Sequence, residues 1–189
     1  TIGSYNVTAT DANGCSGTAT AALTQPATLS MAATKTDVSC NGGSTGAITT
    51  STIGGTLPYT YNWGGGITTE DRANLSSGNY NVTVTDASSC SASASAAITQ
   101  PASALAVAVS SATNVSCFGG NNGSIYISAT GGTTAYSYNW GGGITTQNRT
   151  GLASGNYSVT VTDANACSAS ALATLSQAAA IQLTVAKTD

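Results

Sequence analysis

Along Tyr80-Asn81-Val82-Thr83-Val84-Thr85-Asp86, apolar and polar side chains alternate, so Tyr80, Val82 and Val84 share one face and Asn81, Thr83 and Thr85 the other. A period of two predicts a half-buried β-strand. Tyr59, Tyr61 and Trp63 line one face of a second predicted strand, closed by Gly64, Gly65 and Gly66, which a strand interior would not favour. Ala47–Ser51 and Ser91–Ala96 predict two more. No stretch carries a 3.6-residue apolar period with caps, which argues against helix. Short strands between glycine-rich turns predict an all-β sandwich.

The pattern recurs at a fixed offset of 77 residues: Tyr59–Thr69 returns as Tyr136–Thr146, and Val38-Ser39-Cys40 as Val115-Ser116-Cys117. Between residues 38–102 and 115–179, 41 of 65 positions are identical, which establishes a modular array. A partial third copy comes first, with Tyr5-Asn6-Val7-Thr8 and Cys15 matching Tyr80-Asn81-Val82-Thr83 and Cys90. The expected organisation is residues 1–27 as the last strands of a truncated repeat, complete repeats at 28–102 and 103–179, and 180–189 as the first strand of a further repeat. That last strand is expected because Val185-Ala186-Lys187-Thr188-Asp189 echoes residues 31–37. An orphaned strand pair is not stable alone in water, so the chain reads as a segment of a longer protein.

Two details refine the sandwich to an immunoglobulin-like one. Leu75-Ser76-Ser77-Gly78-Asn79-Tyr80 has the leucine, glycine and tyrosine of a tyrosine corner, and Trp63 sits where such sandwiches bury a tryptophan. Leu152, Gly155, Tyr157 and Trp140 repeat both. The predicted core therefore includes Trp63, Trp140, Tyr61, Tyr138, Tyr80 and Tyr157. The fold class is all-β: tandem immunoglobulin-like β-sandwich repeats with a period of about 77 residues. Each module's core is small and is expected to need a disulfide or a neighbour.

Charge removes whole classes of partner. Lys and Arg number four, His is absent and the net charge is −3. Nucleic-acid binding needs clustered cations to displace counterions, and these cannot supply it. No apolar run is long enough for a membrane span, so no membrane insertion is expected in this segment.

Cys40 and Cys90 are 50 residues apart, as are Cys117 and Cys167. Two cysteines per repeat without His or close spacing exclude a zinc site and predict a disulfide framework in an oxidising, extracellular setting. Pairing within a repeat, Cys40–Cys90 and Cys117–Cys167, is preferred; Cys40–Cys167 between repeats is the alternative, and the partner of Cys15 is expected outside the chain. Geometry leaves the choice open. In a seven-strand sandwich the two sites lie at opposite ends, whereas a single pass through 67–75 would bring them together.

Candidate chemistry is sparse. Glu70-Asp71 is the one adjacent carboxylate pair, but the next copy has Gln147-Asn148, and no His stands by as a base. Asp11, Asp86 and Asp163 recur in a Thr-Asp-Ala turn and are weak calcium candidates, since calcium wants six or more oxygens; a turn aspartate accepting backbone N–H bonds is the simpler reading. No cofactor, metal or catalytic residue is expected. Tyr59, Tyr61 and Trp63 would stack on sugar only if their face were exposed, and core filling is preferred. Arg72 and Arg149 recur and are candidates for stacking on an aromatic face. Sequons such as Asn81-Val82-Thr83 carry little weight in so Asn- and Thr-rich a chain.

Cys40-Asn41-Gly42-Gly43, Gly54-Gly55, Pro58-Tyr59-Thr60-Tyr61-Asn62-Trp63, Leu75, Gly78, Tyr80 and Thr85-Asp86 together resemble the SprB-type repeat of long cell-surface adhesins of gliding Bacteroidetes. Ala135 and Ala178 depart from it where proline is expected. The resemblance implies export, a filament or stalk at the cell surface, and adhesion to surfaces or polysaccharide. The expected function is thus a structural and adhesive repeat region of an extracellular filament, with neighbouring repeats or copies as partners and surface polysaccharide as a candidate ligand. Rival readings are an array of carbohydrate-binding modules with exposed Tyr and Trp faces, and an ice-templating surface built on rows such as Thr83 and Thr85.

Overall fold

The computed structural model describes residues 2–187, and among them it contains β-strands and no helix. The chain opens on a hairpin of β1 (Gly3–Thr10) and β2 (Ser16–Leu23), paired antiparallel from Gly3↔Leu23 to Thr10↔Ser16. Its ladder is complete, yet every residue in both strands is exposed.

Each full repeat then supplies six strands. In the first they are β3 (Ser30–Thr36), β4 (Gly46–Ile53), β5 (Thr60–Asn62), β6 (Arg72–Leu75), β7 (Gly78–Thr85) and β8 (Ser91–Ile98). In the second they are β9 (Ala106–Thr113), β10 (Gly123–Thr130), β11 (Ser137–Asn139), β12 (Arg149–Leu152), β13 (Gly155–Thr162) and β14 (Ser168–Leu175). They form three-stranded sheets in the orders β3-β4-β6 and β5-β7-β8, and again β12-β10-β9 and β11-β13-β14. In immunoglobulin terms these are sheets A-B-E and C-F-G with strand D missing. The fold is a tandem of immunoglobulin-like β-sandwiches.

By compactness the chain divides into two units. One comprises Thr1–Lys35, Ile48–Arg72 and Asn79–Ala97; the other comprises Thr36–Ala47, Ala73–Gly78 and Ile98–Asp189. In the first unit Ile48, Val82 and Val84 are fully buried, on the faces that alternation assigns them. In the second, Ile125, Ile127, Leu152, Val159, Val161, Ala173 and Leu175 make one buried cluster, and Val107, Val109, Tyr136, Tyr138, Trp140 and Tyr157 pack against it half-buried. The tyrosine corner is present there, with the Tyr157 hydroxyl donating to Ala153 O at 2.9 Å.

Glycine is required where backbones close on one another. Gly131 has φ +72°, and a Cβ there would lie 2.0 Å from Ala104 O; the turn it makes leads into the Gly132 N–H bond to Ser103 O. At Gly123 a Cβ would meet Leu152 O and Leu175 Cδ1, both at 2.8 Å.

Two expectations change. The strand read through Trp63 stops at Asn62, because Trp63 N turns to Ile67 O around three glycines of positive φ. Residues 180–187 form no strand: Ile181, Leu183 and Val185 are exposed, and a strand without a partner leaves its backbone groups unbonded. Thr188 and Asp189, the end of that expected strand, lie outside the described residues.

Candidate functional site

The recurring aspartates build the loops that carry the second cysteines. Asp163 Oδ1 accepts the N–H groups of Asn165 (2.9 Å) and Cys167 (2.9 Å), while Oδ2 accepts that of Thr133 (2.9 Å). Asp86 does the same with Ser88 (2.9 Å), Cys90 (2.8 Å) and Thr56 (2.8 Å). Asp11 holds Asn13 and Cys15 alone, each at 2.9 Å. The Thr133 N–H leads in holding the Asp163 carboxyl below its ordinary pKa, against the opposing effect of burial. At Asp86 burial acts upward most strongly, but the N–H bonds from Thr56, Cys90 and Ser88 together outweigh it and the pKa is lowered. These carboxylates are spent on backbone, and among the described residues no cluster of three acidic, His or Cys side chains gathers for a metal.

The first cysteines sit on a different loop. Gly43 N bonds to Cys40 O (2.9 Å) and Gly42 N to the Gln100 side chain (2.8 Å), with Asn41 Nδ2 donating to Pro101 O (2.8 Å). Around Cys117, Gly120 N bonds to Cys117 O (3.0 Å) and Gly119 N to Gln177 (2.8 Å). Gln100 and Gln177 were not singled out in sequence, although both recur at the 77-residue offset.

In the second unit the two loop types meet. Cys40 is bonded to Cys167, with Cα atoms 5.8 Å apart. Asn165 Nδ2 donates to Ser39 O at 3.0 Å beside it. The preferred pairing, Cys40–Cys90 and Cys117–Cys167, is therefore corrected to the alternative. The reason lies in strand direction. Val115 bridges Gln177 in parallel, so Cys117 lies at the end of β14 while Cys167 precedes its start, separated by about 27 Å of extended chain. Val38 N bonds to Thr99 O just as Val115 N bonds to Ser176 O, and the equivalent strand, β8, keeps Cys40 from Cys90. Cys15, Cys90 and Cys117 are free and exposed.

The predicted core aromatics are half-buried and clasp the recurring arginines. Arg72 lies 5.6 Å from the Trp63 ring centre and 5.3 Å from that of Tyr80; Arg149 lies 5.6 Å from Trp140 and 5.2 Å from Tyr157. Each indole N–H donates 2.8 Å to a loop carbonyl, Thr69 O or Thr146 O. Tyr61 donates to Glu70 Oε1 at 3.0 Å; burial first, then Glu70, pushes its phenol pKa up against a bond with the Thr52 hydroxyl. Asp71 Oδ1 accepts Thr50 N (2.8 Å) where Asn148 Oδ1 accepts Ile127 N (3.0 Å). An amide and a carboxylate serve equally there, which explains the change of Asp71 to Asn148, whereas Gln147 Nε2 donates to Ile127 O at 2.8 Å, a bond Glu70 does not make.

The family model for the SprB repeat matches at residues 32–68 and again at 109–145. The two matched stretches stand 77 residues apart, one in each full repeat. Each matched stretch runs from the first strand of a sandwich through the glycine turn after Trp63 or Trp140, so it includes the Cys-x-Gly-Gly loop. Arg72, Arg149 and the second cysteines Cys90 and Cys167 follow the matched stretches. Curated proteins searched by sequence give no match. Among solved structures, the three N-terminal domains of the bacteriophage RB49 highly immunogenic outer capsid protein are similar at 20% identity and a TM-score of 0.43, over 79% of this chain and 59% of that one. The N-terminal eight Ig domains of a Down syndrome cell adhesion molecule isoform are similar at 17% and 0.42, over 93% and 27%.

Proposed function

We propose that the chain is a structural and adhesive repeat region of a long extracellular filament or stalk at a cell surface. The observation that carries this reading is the Cys40–Cys167 disulfide, which ties one SprB repeat to the next. Disulfides persist in oxidising surroundings, and a bond between modules serves a continuous array. SprB repeats on immunoglobulin-like sandwiches fit such a region, and modules of this kind are typically non-enzymatic. Adhesion would come from many weak contacts multiplied along the array. The carbohydrate-platform reading is less well supported, because Arg72 and Arg149 occupy the Trp63 and Trp140 rings.

Antibodies raised against the chain test the reading on intact cells of the organism that produces it. Labelling of extended material outside unpermeabilised cells is expected. Labelling that appears only after permeabilisation would overturn it.

A further inference from the structure

Beside the covalent bond, the Cys40 and Cys167 loops also meet at one carbonyl oxygen. Asn165 Nδ2 donates to Ser39 O at 3.0 Å, and Cys167 Sγ, which carries no hydrogen in the disulfide, lies 3.5 Å from the same atom. A carbonyl only accepts, so the amide must turn its nitrogen towards Ser39. Its own loop aims it there. Asn165 Nδ2 also donates to Thr133 Oγ1 at 3.1 Å, and Asp163 fixes the backbone N–H groups of Asn165, Cys167 and Thr133. The Ser39 side is braced as well: Ser39 N donates to Thr45 Oγ1 at 2.8 Å, and Gly43 N bonds to Cys40 O at 2.9 Å.

The loop around Cys90 shows what Asn165 adds. Asp86 makes the three N–H bonds that Asp163 makes, and Ser89 and Ala166 both adopt φ 64°. Only the residue after next differs in kind: Ser88 stands where Asn165 stands. A serine hydroxyl ends one bond short of an amide nitrogen, so it could not span the same gap.

We infer that Asn165 is the positioning residue for the disulfide between repeats. Its amide docks the Ser39 carbonyl before the sulfurs bond, holds Cys40 at Cys167, and sets that loop apart from the otherwise equivalent loop at Cys90. The inference goes beyond the proposed function and does not rest on where the chain resides. Because Asn165 is exposed and touches neither sandwich core, its effect falls on pairing and leaves folding of the modules alone.

The bond forms by thiol–disulfide exchange with a disulfide oxidant such as oxidised glutathione. One cysteine thiolate displaces a glutathione thiolate to give a mixed disulfide; the other cysteine thiolate then displaces the second glutathione. Two protein thiols are oxidised, one glutathione disulfide is reduced to two thiols, and the docked amide acts on the second displacement, which closes the protein bond.

The test equilibrates the whole chain in glutathione redox buffers, traps it by alkylation and maps the peptides, giving the equilibrium constant for Cys40–Cys167 against glutathione. A net hydrogen bond of ordinary strength predicts that Asn165→Ser lowers this constant about three- to tenfold, with more Cys40 left as mixed disulfide. Asn165→Asp keeps the shape, removes the donor and should lower it at least as far. Thr133→Val, which removes only the second acceptor, should cost less. In urea-unfolded chain, where no dock exists, all three variants should match the parent, and Ser88→Asn should leave the native constant unchanged. A native constant indifferent to Asn165→Ser and Asn165→Asp would overturn the inference, as would a loss equally large in unfolded chain.

Discussion

Asp86 and Asp163 each accept three backbone N–H bonds with one side chain, so their charged forms are favoured by folding. For Asp86 and Asp163 the folded-state pKa is lowered. The stabilisation is complete above the unfolded value, about 3.9, and is lost as pH falls through the lower folded value. Thermal melts should therefore hold steady down to about pH 5 and decline below about pH 4. Asp86→Asn and Asp163→Asn should melt lower at neutral pH and show a shallower acid decline; an unchanged acid slope would contradict this account. The arginine clasp supplies a second prediction. Arg149→Ala removes a cation held between Trp140 and Tyr157 and should cost about 1 kcal/mol in denaturant unfolding, with greater quenching of Trp140 by acrylamide. Arg149→Lys should recover only part, since an ammonium cannot lie flat between two rings. Repetition made Arg72 and Arg149 visible in the sequence. It could not say which rings they face, because that depends on where β6 and β12 cross their sandwiches.

The strands were the most legible elements. Val82 and Val84 on β7 point inward as alternation requires, since a period of two is a local property of the chain. Less legible was the passage from β5 to β6. Residues 64–71 return along the sandwich without making a strand, so the molecule has six strands per repeat while keeping the strand directions of seven. That is why cysteines 50 residues apart do not meet: direction is set by the whole sandwich, and spacing alone cannot reveal it. Turn glycines can be ranked by their surroundings. Gly131→Ala combines a positive φ with a collision on Ala104 O and should destabilise by about 2–3 kcal/mol. Gly142 has φ +57° in open space, so Gly142→Ala should cost only about 1 kcal/mol. Equal losses in urea titrations would show that the close approach at Gly131 is unimportant.

For the molecule as a whole, the 77-residue repeat announces tandem sandwiches, because duplication writes itself along the whole length of a module. The bond that joins the repeats was only one of two possibilities there. It spans a sequence separation of 127 residues; on the chain-entropy view, closing a loop of that size stabilises by up to about 5 kcal/mol. Reduction, or Cys40→Ser, should therefore lower the unfolding midpoint by more than Arg149→Ala does. A midpoint indifferent to reductant would mean that the bond does not restrain the unfolded chain.

The same bond also decides where tension travels. Pull the chain by its two termini, and the load passes from Cys40 directly to Cys167. Everything between them is bypassed, including the body of both sandwiches. About 400 Å of extended chain is thus withheld from stretching until a reductant opens the shunt. Under tension the array behaves as a short tether with a folded reserve in parallel, and a thiol acts as its release.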